Sequence, residues 1–212
     1  LGTRPKRRVQ RWLEKASDAE IMWAAVGQSP SLADVIKMVH PKPANAEREA
    51  FYAWLIGKPH DVAALPQVVR AFEAFKRDAK APVPDVPFQM LTSQPLTKAH
   101  WAAIGRNAGW HMLRMNLATF ARHGAFEMDG FANHVAKRLR DREAIAKARV
   151  LPYQLISAYA MTAKGKVPGL VRDALQDAME IAVSNVPRVE GHVVICPDVS
   201  GSMHSPVTGQ RQ

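Results

Sequence analysis

The sequence holds a single cysteine, Cys196, so no disulfide can staple the chain to itself. It has no Cys-x-x-Cys pair, no His-Glu-x-x-His motif and no phosphate-cradling glycine loop, and its eight histidines show no ligand spacing. Asp61, Asp85 and Asp198 are scattered and form no carboxylate pair for hydrolysis. These absences point away from an enzyme. Aromatic residues are only 7% of the chain, which leaves base stacking a minor role, and Trp12 and Trp110 are expected in the core. No run approaches the roughly 20 apolar residues of a membrane helix, so a soluble chain is expected. Cys196 lies in an apolar run and reads as a small buried side chain in a reducing compartment, which favours the cytoplasm. The chain begins with Leu1 rather than methionine, so a natural start upstream is expected.

What is present suits a packed and basic protein. With 212 residues, 47% hydrophobic and 23% charged, the chain is long enough and apolar enough to build a core. Its formal net charge is +10, a surplus that attracts phosphate backbones and releases their counterions. Nucleic acid is the leading partner on that ground.

Most of the chain carries a helical period. From Arg4 to Ala16, Val9, Trp12, Leu13 and Ala16 share one face, and Arg4, Arg8, Arg11 and Lys15 fall on the other. Ser17 with Glu20 reads as a capping box opening a helix through Val26, and Ser31 with Asp34 opens one ending near His40. Pro41 and Pro43 stop that helix; further helices are expected over 46–58 and from Pro66 to Lys80. The proline-rich stretch 81–94 predicts an extended connection between two helical halves. Helices then resume over 97–108, 110–123, 129–139, 141–148, 152–162 and 168–185. Serial short helices predict an all-α fold, a HEAT-like α-solenoid of helical hairpins.

The pattern changes after Pro187. His192 to Cys196 is short, apolar and β-branched, as a buried parallel strand reads. Behind it stands Asp198-Val199-Ser200-Gly201-Ser202, where a carboxylate and two hydroxyls at alternate positions can turn three oxygens toward one magnesium ion. A polar turn of serine and glycine would read the same way without a metal.

This motif resembles the metal-ion-dependent adhesion site of von Willebrand factor A (vWA) domains, with Asp198, Ser200 and Ser202 as its ligands. In that family later loops complete the metal shell, so the Mg2+ site is expected to be incomplete here. The helical part resembles the TROVE module of the Ro autoantigen family. The resemblance rests on Ser31-Leu32-Ala33-Asp34-Val35-Ile36-Lys37-Met38-Val39-His40-Pro41-Lys42-Pro43, on Leu113-Arg114-Met115-Asn116-Leu117, and on Ala148-Arg149-Val150-Leu151-Pro152-Tyr153-Gln154-Leu155. It implies two domains, a TROVE-like helical repeat domain over 1–187 and the truncated beginning of a vWA domain over 188–212. It also implies a toroid of helical hairpins that binds small noncoding Y RNAs outside and single-stranded RNA ends in a central hole. Bacterial relatives of this kind serve RNA quality control with an exoribonuclease partner, and a monomer is expected. The family's His-x-Lys-Pro segment, implicated in Y RNA contact, matches His40 and Lys42.

The residues themselves nominate basic clusters for RNA: Arg4, Arg7, Arg8 and Arg11 on the first helix, and Lys137, Arg138, Arg140 and Arg142 around a later junction. His111, Arg114 and Arg122 share a helical face opposite Leu113, Leu117 and Phe120, and are expected to line a groove wall. A solvated helix face carries such stripes too. The competing class is a protein-interaction scaffold in which a vWA adhesion site grips an acidic side chain through its metal.

Overall fold

The computed structural model describes residues 2–27, 29–78, 80–163 and 166–204, with the side chains of Ser202 and His204 outside that set. The chain opens with α1, Thr3–Lys15. Ser17 then starts α2, Asp18–Ala24, through the expected capping box: its hydroxyl accepts from the Glu20 amide at 3.3 Å, and the Glu20 carboxylate accepts from the Ser17 amide at 2.8 Å. Two otherwise orphaned N–H groups are satisfied together. Ser31 caps α3, Leu32–Val39, and Asn45 caps α4, Ala46–Leu55, each by accepting from the third amide of its helix. Pro66 precedes α5, Gln67–Arg77, supplying a fixed φ where no amide is needed.

The second half begins inside the proline-rich connection, which is not wholly extended: one turn of helix, α6, forms over Phe88–Leu91 behind Pro87. It continues with α7, Lys98–Asn107, α8, Trp110–Met115, and α9, Leu117–Arg122. The single helix expected over 110–123 is therefore broken at Asn116. The Asn116 side-chain amide donates to the Met112 carbonyl at 2.9 Å, taking the place of a main-chain donor at the break. The remaining helices are α10, Phe131–Leu139, α11, Arg142–Ala148, α12, Pro152–Ala163, and α13, Gly169–Ala182.

One apolar core runs from Leu13 of α1 to Ala182 of α13. In the first half α1 packs on α3 and α3 on α4, with the Tyr52 hydroxyl donating to the Leu13 carbonyl at 3.0 Å. In the second half α13 packs against α10, α11 and α12, while α8 meets α10 and α11. Helix α5 joins the halves through aromatic side chains: Phe72 stands edge-on to Trp54 at 6.2 Å, and Phe75 edge-on to His100 at 5.2 Å. Sequence neighbours pack in the pairs α3 with α4, α8 with α9 and α12 with α13, and more distant helices meet as α7 with α10 and α10 with α13.

Trp12 and Cys196 depart from the burial expected of them. Trp12 is 42% exposed, because α1 meets α3 along the neighbouring line of Val9, Leu13 and Ala16. No β-strand forms among the described residues. His192 to Cys196 carries no regular secondary structure, Val194 and Ile195 are more than four-fifths exposed, and Cys196 is exposed rather than buried. A strand needs neighbours to pair its backbone, and none is described beside it. No helix among the described residues is long and apolar enough to cross a membrane.

Gly105 of α7 stands at a close helix contact. A Cβ there would stand 2.5 Å from Cζ of Phe131 and 3.3 Å from Cζ of Phe120, both fully buried rings. Gly105→Ala is expected to destabilise the chain by about 1–3 kcal/mol in urea denaturation. Gly169→Ala, with open space around it, should leave stability level or slightly raised.

Candidate nucleic-acid interface

Helix α1 presents the clearest basic surface. Arg4, Arg7, Arg8 and Arg11 recur at three- and four-residue steps, all four are exposed, and together with Thr3 they line an open groove of about 520 Å3. None of them pairs with a carboxylate among the described residues. The arrangement works against the helix that carries it. Its first turn holds no acidic residue, and Gly2 offers no side-chain cap, so the guanidinium of Arg4 faces the positive end of the helix dipole. Like charges four residues apart, Arg4 with Arg8 and Arg7 with Arg11, add repulsion.

The same helix fixes the His40 segment. The Gln10 side-chain amide donates to the Val39 carbonyl at 2.6 Å and to the His40 carbonyl at 3.3 Å. These are end-of-helix acceptors of α3, so α1 closes the orphaned C-terminus of its neighbour. His40 itself takes a left-handed conformation, φ 51°, which ends α3 and turns the chain into Pro41-Lys42-Pro43. His40 and Lys42 are both exposed. His40 borders a cavity of about 340 Å3 whose wall includes Lys37, Pro41, Tyr52 and Lys58. The sequence reading passed over Lys37 and Lys58. Lys37 was within reach, three residues before His40 and so on its face of the helix.

The second cluster is only partly available. Arg140 Nε donates to Asp177 at 2.6 Å, which ties the end of α10 to α13, and Arg138 lies 4.0 Å from Asp141. Lys137 and Arg142 are exposed and have no such partner among the described residues. A histidine reports the local potential. Burial, then Arg138, Arg106 and Lys137, hold the His134 imidazole below its ordinary pKa, so this region resists further positive charge.

The expected groove wall does not hold together. His111 and Arg122 are exposed, whereas Arg114 is only 5% exposed; its Nη1 donates to the Gln154 carbonyl at 2.9 Å. Spacing alone placed Arg114 outside, but α12 packs over that side of the α8–α9 break and covers it.

Of the metal motif, Asp198 and Ser200 are exposed, and the Ser200 amide donates to the Asp198 carboxylate at 2.8 Å, which lowers the carboxyl pKa. The side chain of Ser202 lies outside the described residues. No group of three acidic, histidine or cysteine ligands gathers anywhere among the described residues. One carboxylate and one described hydroxyl fall short of an octahedral magnesium shell, so these residues do not by themselves fit the ion.

The helical part of the chain is similar in sequence and fold to bacterial Ro proteins. It is 27% identical over 199 residues to the RNA-binding protein RO60 of Deinococcus radiodurans, a match covering 82% of this chain and 36% of that protein. The crystal structure of the Ro (RSR) protein of the same organism matches with a TM-score of 0.61 and 22% identity, over 88% of this chain and 42% of that one. The chain thus spans roughly two-fifths of the proteins it matches. No protein-family model matches it.

If the arginines of α1 are kept for binding at the expense of helix stability, reversing one should strengthen the fold. Arg4→Glu is expected to raise stability by about 0.3–1 kcal/mol, seen as a higher urea midpoint at unchanged slope. A lower midpoint would give Arg4 a structural role instead.

Proposed function

We propose that this chain is an RNA-binding protein that holds phosphate backbones on the arginine face of α1, and that it is no enzyme. The observation that carries the reading is the four exposed arginines, without a carboxylate partner among the described residues, placed where they cost helix stability. The clamp from Gln10 ties the helix that carries that face to the His40 turn, where His40 and Lys42 are exposed, and the exposed Lys137 and Arg142 form a second candidate phosphate-binding patch. The likeness to a protein named as RNA-binding supports the same partner class.

Within that reading the RNA is a small noncoding Y-like RNA or the single-stranded end of a structured or misfolded one, in quality control in the cytoplasm. An exoribonuclease serves as processing partner and the chain acts as a monomer. The support is the resemblance of the His40-Pro41-Lys42-Pro43 segment. Magnesium at Asp198, Ser200 and Ser202 belongs to the same reading as a vWA-type site that needs further oxygen ligands, and no step of RNA binding runs through it. The exposed apolar segment at Val193, Val194 and Ile195 favours the second reading, a scaffold whose strand pairs with a protein partner.

Binding to a labelled single-stranded RNA at increasing salt separates the two. Replacing Arg4, Arg7, Arg8 and Arg11 by glutamine should weaken affinity and flatten the salt slope by about 0.7 per lost phosphate contact. Replacing Lys137 and Arg142 should have a smaller effect, with helicity unchanged in both variants. Affinity independent of salt would reject the reading.

A further inference from the structure

Arg114 is a buried cation without a counter-ion among the described residues. Its side chain is 5% exposed, Nη1 is bonded to the Gln154 carbonyl, and Nε is buried with no hydrogen-bond partner. No carboxylate among the described residues pairs with it. The Trp110 ring, 5.9 Å from the guanidinium carbon, compensates only in part. Burial alone lowers its pKa, as expected for a desolvated charge lacking an anion. Leaving a buried charge unpaired is strongly unfavourable, so the site is complementary to something negative.

Next to it, between the α8–α9 break and α12, lies a cavity of about 260 Å3. Arg114, Gln154 and Ser157 line it together with the apolar Met115, Ala118 and Met161. Met115 and Met161 are 61% and 59% exposed and so stand at its outer edge. Residues 86–126 and 144–172 contain no aspartate or glutamate, so every charged side chain on the helices that form the cavity is positive. Small-ligand sites run from about 300 to 1,000 Å3, and at about 260 Å3 this open cavity lies just below that range, with room for one small unit rather than a helix.

We infer that this cavity binds a nucleoside phosphate, with the phosphate on the Arg114 guanidinium and the Ser157 hydroxyl and the base between Met115 and Met161. The planar guanidinium fork suits phosphate oxygens, and polarizable thioethers suit a flat ring better than an acidic side chain. The ligand is either a free nucleotide or one unit of a single-stranded RNA; in the second case the inference deepens the RNA-binding reading and rests on it.

The intact chain is titrated with fluorescein-labelled decauridylate and, separately, with uridine 5′-monophosphate, using an oligoglutamate peptide as competitor. Ser157→Phe fills the cavity from an exposed position without removing charge; Arg114→Gln removes the cation. Both should abolish binding of the monophosphate. If the ligand is an RNA unit, both should also weaken decauridylate on the order of tenfold, and Ser157→Phe should keep the wild-type salt slope. If Arg114→Gln fails to fold, Ser157→Phe decides. Monophosphate binding without any decauridylate binding supports a free-nucleotide site while removing the RNA reading. Decauridylate bound equally by wild type and Ser157→Phe, with no monophosphate binding, overturns the inference and leaves the RNA reading standing. Displacement of the monophosphate by oligoglutamate at lower concentration than by unlabelled decauridylate also overturns it.

Discussion

Helix α13 is the packing constraint on which the second half depends. It is in contact with α10, α11 and α12 at once, and it buries Val171, Ala174, Leu175, Ala178 and Ala182. Three of those five are alanines, whose small side chains let neighbouring helices approach closely. The Asp177 carboxylate on the same helix receives Arg140 from the end of α10, so an ion pair and an apolar seam fix one junction together. A surface ion pair of this kind contributes little stability by itself. Its consequence is for function, since it removes Arg140 from the charges free to meet a phosphate backbone.

Charge is distributed on the same logic. Carboxylates stand where helices need them, as with Glu20 in its capping box and Asp141 capping α11, and they are missing from residues 86–126 and 144–172. The arginines of α1 are placed against the dipole of their own helix. A fold selected for stability alone would put acids there. The Gln10 clamp then ties this helix to the His40 turn.

Much of the fold was legible because caps are local. Ser17 and Ser31 start the helices that they cap, and the proline-rich stretch marked the change between halves. Interior contacts were less legible. Trp12 looked buried by periodicity, yet the packed face of α1 is centred on Leu13, which only the position of α3 decides. The break at Asn116 turned on a side-chain hydrogen bond invisible to a hydrophobic pattern. Among site residues, exposure of the α1 arginines followed from the helix face. The burial of Arg114 and the pairing of Arg140 did not, because α12 and α13 supply both from more than 30 positions away.

The most direct test of the central claim is ultraviolet crosslinking of the protein to RNA in cells, followed by mass spectrometry of the peptides that carry nucleotides. RNA binding through the arginine face predicts crosslinked peptides from 3–15 and 37–43, with weaker signal from 134–142. Absence of crosslinked RNA, or crosslinks confined to 186–204, would contradict it.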